Sequence, residues 1–586
     1  MKKFSIYILT IVCHLLLARQ HCFATNYYVA TNGNNSSAGT ISVPFKTISY
    51  GVSKIQPGDT LFVRAGVYSE SVLLTVSGTD AKKIVIKNYP GELPQLNGWT
   101  NGQLSGSGGI QTKNWAPASY VSNVVIEGFY ITGYRWGGIN INWCSTCSPA
   151  NGDNVGANID IRYNIVDQCG QNGISVFFST NVIIENNIAS RTGWDSLSGS
   201  WSSGINLYAA RGNCFVRNNV SFHHIDVSPY NSDGNGFILD LSYGFSNTVF
   251  SNNIAFANGG AGIVITRSSN TKLYNNTTCF NGHTNDAGDF SYVYKESFSN
   301  TTFVNNLGFN GIHGSLKQYQ GLFDTCKTCT VSNNDLYPGS ATAINPMVVD
   351  ASLPDFHLQA TSALIDAGRS NSLTTDNGFD QKAIRLTTGT KRFAWFTNEP
   401  DIDYITAKGG LIHCFNPSIR PQGNGFDIGA YEYTSPTITQ TIQLIKGWNL
   451  ISTNISTIDS SIATIFKTVD VQEVKTDECF WRKGQNTVFN SLKTIEAGKG
   501  YLVNMNSAAT LSITGKPIVI RNSKFVINST WNIIGCPYQT STALSTIFIS
   551  TNTIEVKDFE GFWIQSGNTN SIQNLDPGKG YFIKAK

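Results

Sequence analysis

The feature that most constrains this chain is a recurring asparagine. Tyr163-Asn164, Asn186-Asn187, Asn218-Asn219, Asn252-Asn253, Asn275-Asn276, Asn305-Asn306 and Asn333-Asn334 each follow a short β-branched run, such as Asn181-Val-Ile-Ile-Glu or Asn247-Thr-Val-Phe-Ser. From pair to pair the second residue advances by 23, 32, 34, 23, 30 and 28 positions. The shortest period holds three strands of roughly four to six residues and three turns, one coil of a right-handed parallel β-helix; the surplus elsewhere is inserted loop. An asparagine at one turn of every coil predicts a stack of side-chain amides along the axis, structural rather than catalytic.

A second column sets the register. Gly173-Ile-Ser-Val-Phe, Gly204-Ile-Asn-Leu-Tyr, Gly236-Phe-Ile-Leu-Asp and Gly262-Ile-Val-Ile-Thr read as equivalent strands opened by glycine. Alternation sends Ile174/Val176, Ile205/Leu207, Phe237/Leu239 and Ile263/Ile265 to the core and the residues between them outward. The fold class is all-β, a right-handed parallel β-helix followed by two small repeated β-sandwich-like modules.

Those modules begin after a polar linker at 436–441. Trp448-Asn-Leu-Ile, Ile465-Phe466, Glu473-Val-Lys, Phe480-Trp481 and Gly498-Lys-Gly-Tyr recur as Trp531-Asn-Ile-Ile, Ile547-Phe548, Glu555-Val-Lys, Phe562-Trp563 and Gly578-Lys-Gly-Tyr. The expected domains are a signal peptide at 1–24, the β-helix with its caps at 25–435, and modules at 442–518 and 519–586. The repeated Trp and Tyr suit either module cores or a sugar-stacking platform with a role at the cell surface.

Composition removes several classes of function. With 13% charged and 12% aromatic residues the chain is not disordered. Its formal charge is +3, and Lys2, Lys3 and Arg19 sit in a leader without acidic residues, so the remainder is neutral and lacks the electrostatics of a nucleic-acid binder. Lys2-Lys3, the apolar stretch from Phe4 to Ala18 and Ala24 read as a secretory signal too short to span a membrane. An exported, monomeric protein without a membrane span is expected. Ten of the twelve cysteines lie beyond that leader. Cys144/Cys147 and Cys326/Cys329 have the CxxC spacing of zinc ligands, but export favours local disulfides.

Insertions in a solenoid mark the face in use, because loops of successive coils stack into a wall. Three enter just before the glycine-opened strands, at Trp194–Trp201, His224–Asn235 and Gly282–Asp289, and carry Asp195, Asp226, Asp233, Asp286, Asp289, His224 and His283. Along the strands they border, the fourth residue after each glycine is Phe177, Tyr208, Asp240 and Thr266, and the fifth is Phe178, Ala209, Leu241 and Arg267. With Phe290 in the glycine's place on the next coil, Tyr294 and Lys295 join these columns. Asp240, Arg267 and Lys295 then meet at one cleft or form surface ion pairs between coils.

The opening segment, with Pro44-Phe-Lys-Thr-Ile and Pro57-Gly-Asp-Thr-Leu-Phe-Val-Arg-Ala-Gly-Val-Tyr, resembles the N-terminal coils of secreted β-helix proteins, notably the pectate lyases of polysaccharide lyase family nine. Asp355-Phe-His-Leu-Gln, Ile365-Asp-Ala-Gly and Asp427-Ile-Gly-Ala-Tyr-Glu resemble the closing segment of bacterial β-helix proteins. The resemblance implies cleavage of an acidic polysaccharide by β-elimination, with calcium held by aspartates and a lysine as base. It implies Asp233, in Asn-Ser-Asp-Gly, and Asp240 as metal ligands. Lys295, Arg267 and Asp240 become the catalytic candidates, and Tyr208, Asp195 and His224 the substrate contacts. Where the family has a run of aspartates one coil on, this chain has Ala257-Asn-Gly-Gly-Ala-Gly. Two alternatives stand beside the lyase: a glycoside hydrolase using Asp233 and Asp240 as its carboxyl pair, and a non-catalytic, glycan-binding rod.

Overall fold

The computed structural model describes residues 24–586 apart from 113–119, 152–155, 196–200, 228–230, 295–296, 298, 319–325, 338–343, 351–354, 371–376, 380–384, 389–397, 412–416, 424, 434–436, 458, 519–524, 526, 528, 550–553, 566, 568 and 586. The expected signal peptide therefore lies outside the described residues, save for Ala24. The chain divides into two compact units, 1–433 and 434–586.

In the first unit each coil contributes a strand to three parallel sheets in turn. The first sheet has 11 strands, from Asn26–Val29 to Thr330–Ser332; the second has 10, from Gly66–Tyr68 to Asp335–Tyr337; the third has 9, from Val72–Leu74 to Leu316–Gln318. Ile174, Val176, Ile205, Leu207, Phe237, Leu239, Ile263 and Ile265 are buried in one continuous core, on the side their alternation assigns.

The turn from the first sheet to the second contains the asparagine pairs. The first member of each pair, Asn186, Asn218, Asn252, Asn275, Asn305 or Asn333, has φ between 53° and 58°, a left-handed conformation asparagine tolerates. The second points inward: the Nδ2 of Asn164, Asn187, Asn219, Asn253, Asn276 and Asn306 each donates to the Oδ1 of the next, at 2.9–3.1 Å, ending at Asn334. Backbone groups complete the ladder; Asn253 Nδ2 also donates to Val216 O at 2.8 Å, and its Oδ1 accepts Asn219 N at 3.1 Å. Each inward amide from Asn164 to Asn306 is thus paired, as its desolvation requires.

The coil ends, among the described residues, at Tyr337. Beyond that strand the chain becomes a strap laid along the helix. Outward residues of the second sheet, including Ile188, Val220, Ile254, Phe256 and Leu307, cluster with Phe356, Leu358, Leu364, Ile365, Ile428, Ala430 and Tyr431. That cover explains why the strands of the second sheet are apolar on both faces.

In the second unit the repeated landmarks become two antiparallel four-stranded sheets. One joins Gly447–Ser452, Gly500–Met505, Val471–Lys475 and Phe480–Arg482; the other joins Asn532–Gly535, Gly580–Ala585, Ile554–Lys557 and Phe562–Ile564. The copies meet through reciprocal bridges, Ile451 with Lys579 and Lys499 with Ile534. A Cβ on Gly500 would lie 2.4 Å from Ile534 O, and one on Gly580 2.7 Å from Ile451 O. The repeated Gly-Lys-Gly-Tyr is therefore the contact between copies.

Cys144–Cys147 and Cys326–Cys329 are disulfides, so the CxxC pairs are local staples and not a zinc site. Cys169, Cys214, Cys279, Cys479 and Cys536 are free thiols.

Candidate functional site

The third sheet turns one row of side chains outward along the axis. Phe177 pairs with Tyr208, Tyr208 with Asp240, and Asp240 with Thr266, as the sequence columns require. Successive members stand about 4.8 Å apart. The aromatic end is continuous: Trp143 lies 5.0 Å from Phe177, and Phe177 5.8 Å from Tyr208, between ring centres. Asp240 follows. Arg267 and Tyr294 come next, with the guanidinium 4.1 Å above the Tyr294 ring.

The next coil differs from the expected register by one residue. Ile263 pairs with Phe290 and Thr266 with Val293, so Asp289, not Phe290, takes the glycine's place. Tyr294 therefore stands in the Arg267 column, where Phe178, Ala209, Leu241, Arg267 and Tyr294 all have φ between 43° and 68°. Lys295 lies outside the described residues.

Asp240 is buried enough to lift its carboxyl to about 6, against the opposing pull of Arg267 and of the Leu241 N–H. Asp233, at the end of the second insertion, is raised to about 7 by burial and by the charges of Asp226 and Asp240, opposed by the Asn235 amide. Asp226 is raised by burial as well; its Oδ2 accepts the N–H groups of Ser232 at 3.0 Å and Asp233 at 3.2 Å. Burial, then the nearby Asp240, pushes the Tyr208 hydroxyl up to about 12. The third insertion reaches the same place, since Asn285 Nδ2 donates to Asp233 O at 2.9 Å. The site thus unites Tyr208, Asp233, Asp240 and Arg267: two carboxyls that take up protons near neutrality, one cation and an aromatic platform.

Residues 27–187 match the family described as Pel9A-like, right handed beta helix region. The first half of the coil is thus similar to that family. The chain is 28% identical to "Pectate lyase L" of Paenibacillus polymyxa over 324 residues, 49% of this chain and 68% of that protein. It is 32% identical to "Pectate lyase PEL9" of Emericella nidulans over 77 residues, 13% of this chain and 19% of that one. It is 37% identical to "Uncharacterized protein YwoF" of Bacillus subtilis over 71 residues, 12% and 15% of the two. The matched segments thus span under a fifth of the last two relatives. The crystal structure of pectate lyase Pel9A aligns at 19% identity and TM-score 0.41, covering 60% of this chain and 94% of that one.

For the calcium which that resemblance implies, the described residues offer Asp226, Asp233 and Asp240. Asp226 spends Oδ2 on its own loop while its Oδ1 is buried without a hydrogen-bond partner, and Asp240 lies under the charge of Arg267. On the following coil stands Gly260, where a Cβ would lie 2.4 Å from Asp233 O. Among the described residues no three His, Cys, Asp or Glu side chains converge as a metal site.

Two substrate contacts expected from the insertions belong to the framework instead. His224 is fully buried: Nδ1 lies 2.8 Å from Thr192 Oγ1, Nε2 lies 3.0 Å from Ser221 Oγ, and burial drops its pKa to about 3. Asp195 is paired with Arg135 at 2.9 Å rather than joined to the Tyr208–Arg267 row. Asp289 is likewise interior, and Asp286 is exposed and paired with Lys317 at 2.9 Å.

His224 and Asp289 are parts of a second ladder that the asparagine pattern does not reveal. Its members follow the first ladder by five residues: Cys169, Thr192, His224, Asn258 and Asn281. His224 N donates to Asn258 Oδ1 at 3.1 Å, Asn258 Nδ2 to Asn281 Oδ1 at 2.8 Å, and Asn281 Nδ2 to Asp289 Oδ1 at 2.8 Å. The next position at that spacing is Gly311, where a Cβ would lie 2.8 Å from Asp289 Oδ2. Asp289 therefore fills from the glycine column the space that Gly311 leaves. Gly204, Gly236 and Gly262 face the ladder too: a Cβ there would lie 2.2 Å from His224 Nε2, 2.9 Å from Asn258 Nδ2 and 2.8 Å from Asn281 Nδ2.

Proposed function

We propose that this protein is an exported, pectate-lyase-like enzyme that cleaves a uronate-bearing polysaccharide by β-elimination at the Tyr208–Asp233–Asp240–Arg267 site. The observation that carries the reading is Asp240 on the outward row of the third sheet, under the charge of Arg267 on the next coil. Arg267 pairs with the uronate carboxylate and makes the proton on the adjacent carbon more acidic. Asp240, ionised above about pH 6, takes that proton; a raised pKa makes it a stronger base than an ordinary carboxylate. The C–H electron pair becomes the C4=C5 double bond, the C4–O bond breaks, and the leaving oxygen takes a proton from Asp233, which holds one up to about pH 7. Trp143 and Tyr208, either side of the buried Phe177, offer the sugar chain a stacking surface. No step needs calcium. The two disulfides support an oxidising compartment.

The test is a screen of purified protein against acidic and neutral polysaccharides, with and without calcium, read by ultraviolet absorbance of unsaturated product. Absorbance from an acidic glycan that disappears in Asp240→Asn supports the lyase. New reducing ends without absorbance would replace it with a hydrolase, a reading favoured by the two carboxyls poised at about 6 and about 7. Loss of calcium dependence is expected; strict dependence would return the metal to the site.

A further inference from the structure

The two halves of the C-terminal unit repeat more than their cores. Tyr501 and Tyr581 are buried, as module packing requires, but Trp448 and Trp531 are 39% and 37% exposed. Lys475 Nζ lies 5.0 Å from the Trp448 ring centre, and Lys557 Nζ lies 4.0 Å from that of Trp531. Across the sheet each lysine pairs with an exposed phenylalanine, Phe480 or Phe562. Two residues before each lysine stands a glutamate, Glu473 or Glu555, bridged by Lys475 and by Lys584 respectively at 3.0 Å.

Folding alone does not account for this agreement. The cross-strand neighbours of Glu473 are Asn504 and Arg482, whereas those of Glu555 are Lys584 and Ile564. The surface around the shared Trp, Glu, Lys and Phe has therefore diverged while these four have not. An exposed tryptophan fills no core, and its ring face suits the C–H face of a pyranose.

We infer that the C-terminal unit binds a uronate-bearing polysaccharide at two equivalent sites, one per copy, with Trp448 or Trp531 stacking on a sugar ring and Lys475 or Lys557 pairing with the uronate carboxylate. The inference takes its ligand class from the acidic-glycan reading above. Two weak sites on one unit hold a polymer by avidity, so losing one should weaken retention well beyond half.

Affinity electrophoresis of the full chain, in gels containing polygalacturonate, neutral galactan or dextran sulfate, tests it. Wild-type protein should be slowed most by polygalacturonate. Trp448→Ala with Trp531→Ala should abolish most of that retardation, with an unchanged melting temperature and unchanged cleavage of short soluble oligouronides. Lys475→Gln with Lys557→Gln, both at the surface, should remove the preference for polygalacturonate over galactan and guards against a misfolded tryptophan variant. Retardation that persists in both double variants would overturn the inference, as would equal slowing by dextran sulfate that ignores the tryptophans. Cleavage is read separately: Asp240→Asn chains that are inactive yet still retarded, or wild-type chains retarded without any cleavage, keep the binding sites and bear only on the catalytic reading.

Discussion

Two turns of the same β-helix use one backbone device and fill it differently. At the first turn a left-handed residue precedes an inward one in each coil of the ladder, and both are asparagine in six successive coils, from Asn186-Asn187 to Asn333-Asn334. At the second turn the left-handed residues are Gln168, Arg191, His223, Ala257, Phe280 and Asn310, and the inward ones are Cys169, Thr192, His224, Asn258, Asn281 and Gly311. Along the ladder from Asn164 to Asn334 the first turn carries no insertions between its strands; the three insertions named above leave from the second. An uninterrupted turn can hold an identical amide stack, whereas a turn that sprouts loops must fit each inward residue to the loop above it. Stability should therefore concentrate at the first turn and chemistry along the loops of the second.

The sharpest test of that division is Asn253→Leu. It leaves Val216 O and Asn219 N without those partners in the interior, while Asn219 Nδ2 keeps Ile184 O and Arg217 O. At about 1–3 kcal/mol for each of the two orphaned groups, the loss should be roughly 2–6 kcal/mol. Calorimetry should show it as a large fall in the melting of the helix unit, and the fraction still folded should keep its activity. Its counterpart, on the third-sheet strand that follows the second turn, is Asp240→Asn, which should lower the cleavage rate by about a hundredfold or more while moving the melting temperature little. An Asp240 variant that melts early instead would mean that its attraction to Arg267 is structural and the division is wrong.

The contrast also explains what was legible in the sequence. The first ladder could be read because one residue type meets both demands of its turn, a positive φ before the inward position and a buried amide at it. Alternation and the opening glycines then fixed the third sheet, including the Tyr208–Asp240–Thr266 row. The second ladder obeys the same spacing but is written in five residue types, so the five-residue offset from the first was its only signal. His224 and Asp195 looked like site residues because they lie in insertions, yet burial of one and Arg135 beside the other assign them to the framework. The shift that puts Tyr294 in the Arg267 column accompanies Asp289 in a glycine's place, where it fills the ladder position that Gly311 leaves, an exchange between positions 22 residues apart.

Asp289 sharpens the comparison through pH. Burial raises its carboxyl to about 7 from an ordinary 3.8, despite hydrogen bonds from Asn281. The folded protein thus binds a proton that the unfolded chain has already released between about pH 4 and 7. Stability contributed by this group is intact below the unfolded value, falls as pH rises, and levels off above about 7. Asp289→Asn should remove that share of the decline, on the order of 4 kcal/mol, so variant and wild type should diverge with rising pH in denaturant titrations. Parallel curves from pH 4 to 8 would show that Asp289 stays ionised in the fold.

The smallest effect is expected from making the two ladders alike. Thr192 N and Oγ1 both approach His224 Nδ1, so that nitrogen is the acceptor and Nε2 carries the hydrogen facing Ser221. In His224→Asn the Oδ1 can take the place of Nδ1 toward Thr192, Nδ2 can reach Asn258 Oδ1 as in the first ladder, and Ser221 Oγ keeps its bond to Gly236 O at 2.7 Å. The replacement loses ring volume but orphans no polar group, so its cost should be about 1 kcal/mol, with cleavage and its pH profile unchanged. His224→Leu fills the same space and strands Thr192 and Ser221 beside an apolar side chain; it should cost more than the asparagine although it is no smaller. If instead both variants lost activity in proportion to the missing imidazole while melting normally, His224 would be a substrate contact, and the second turn would be part of the site down to its buried ladder.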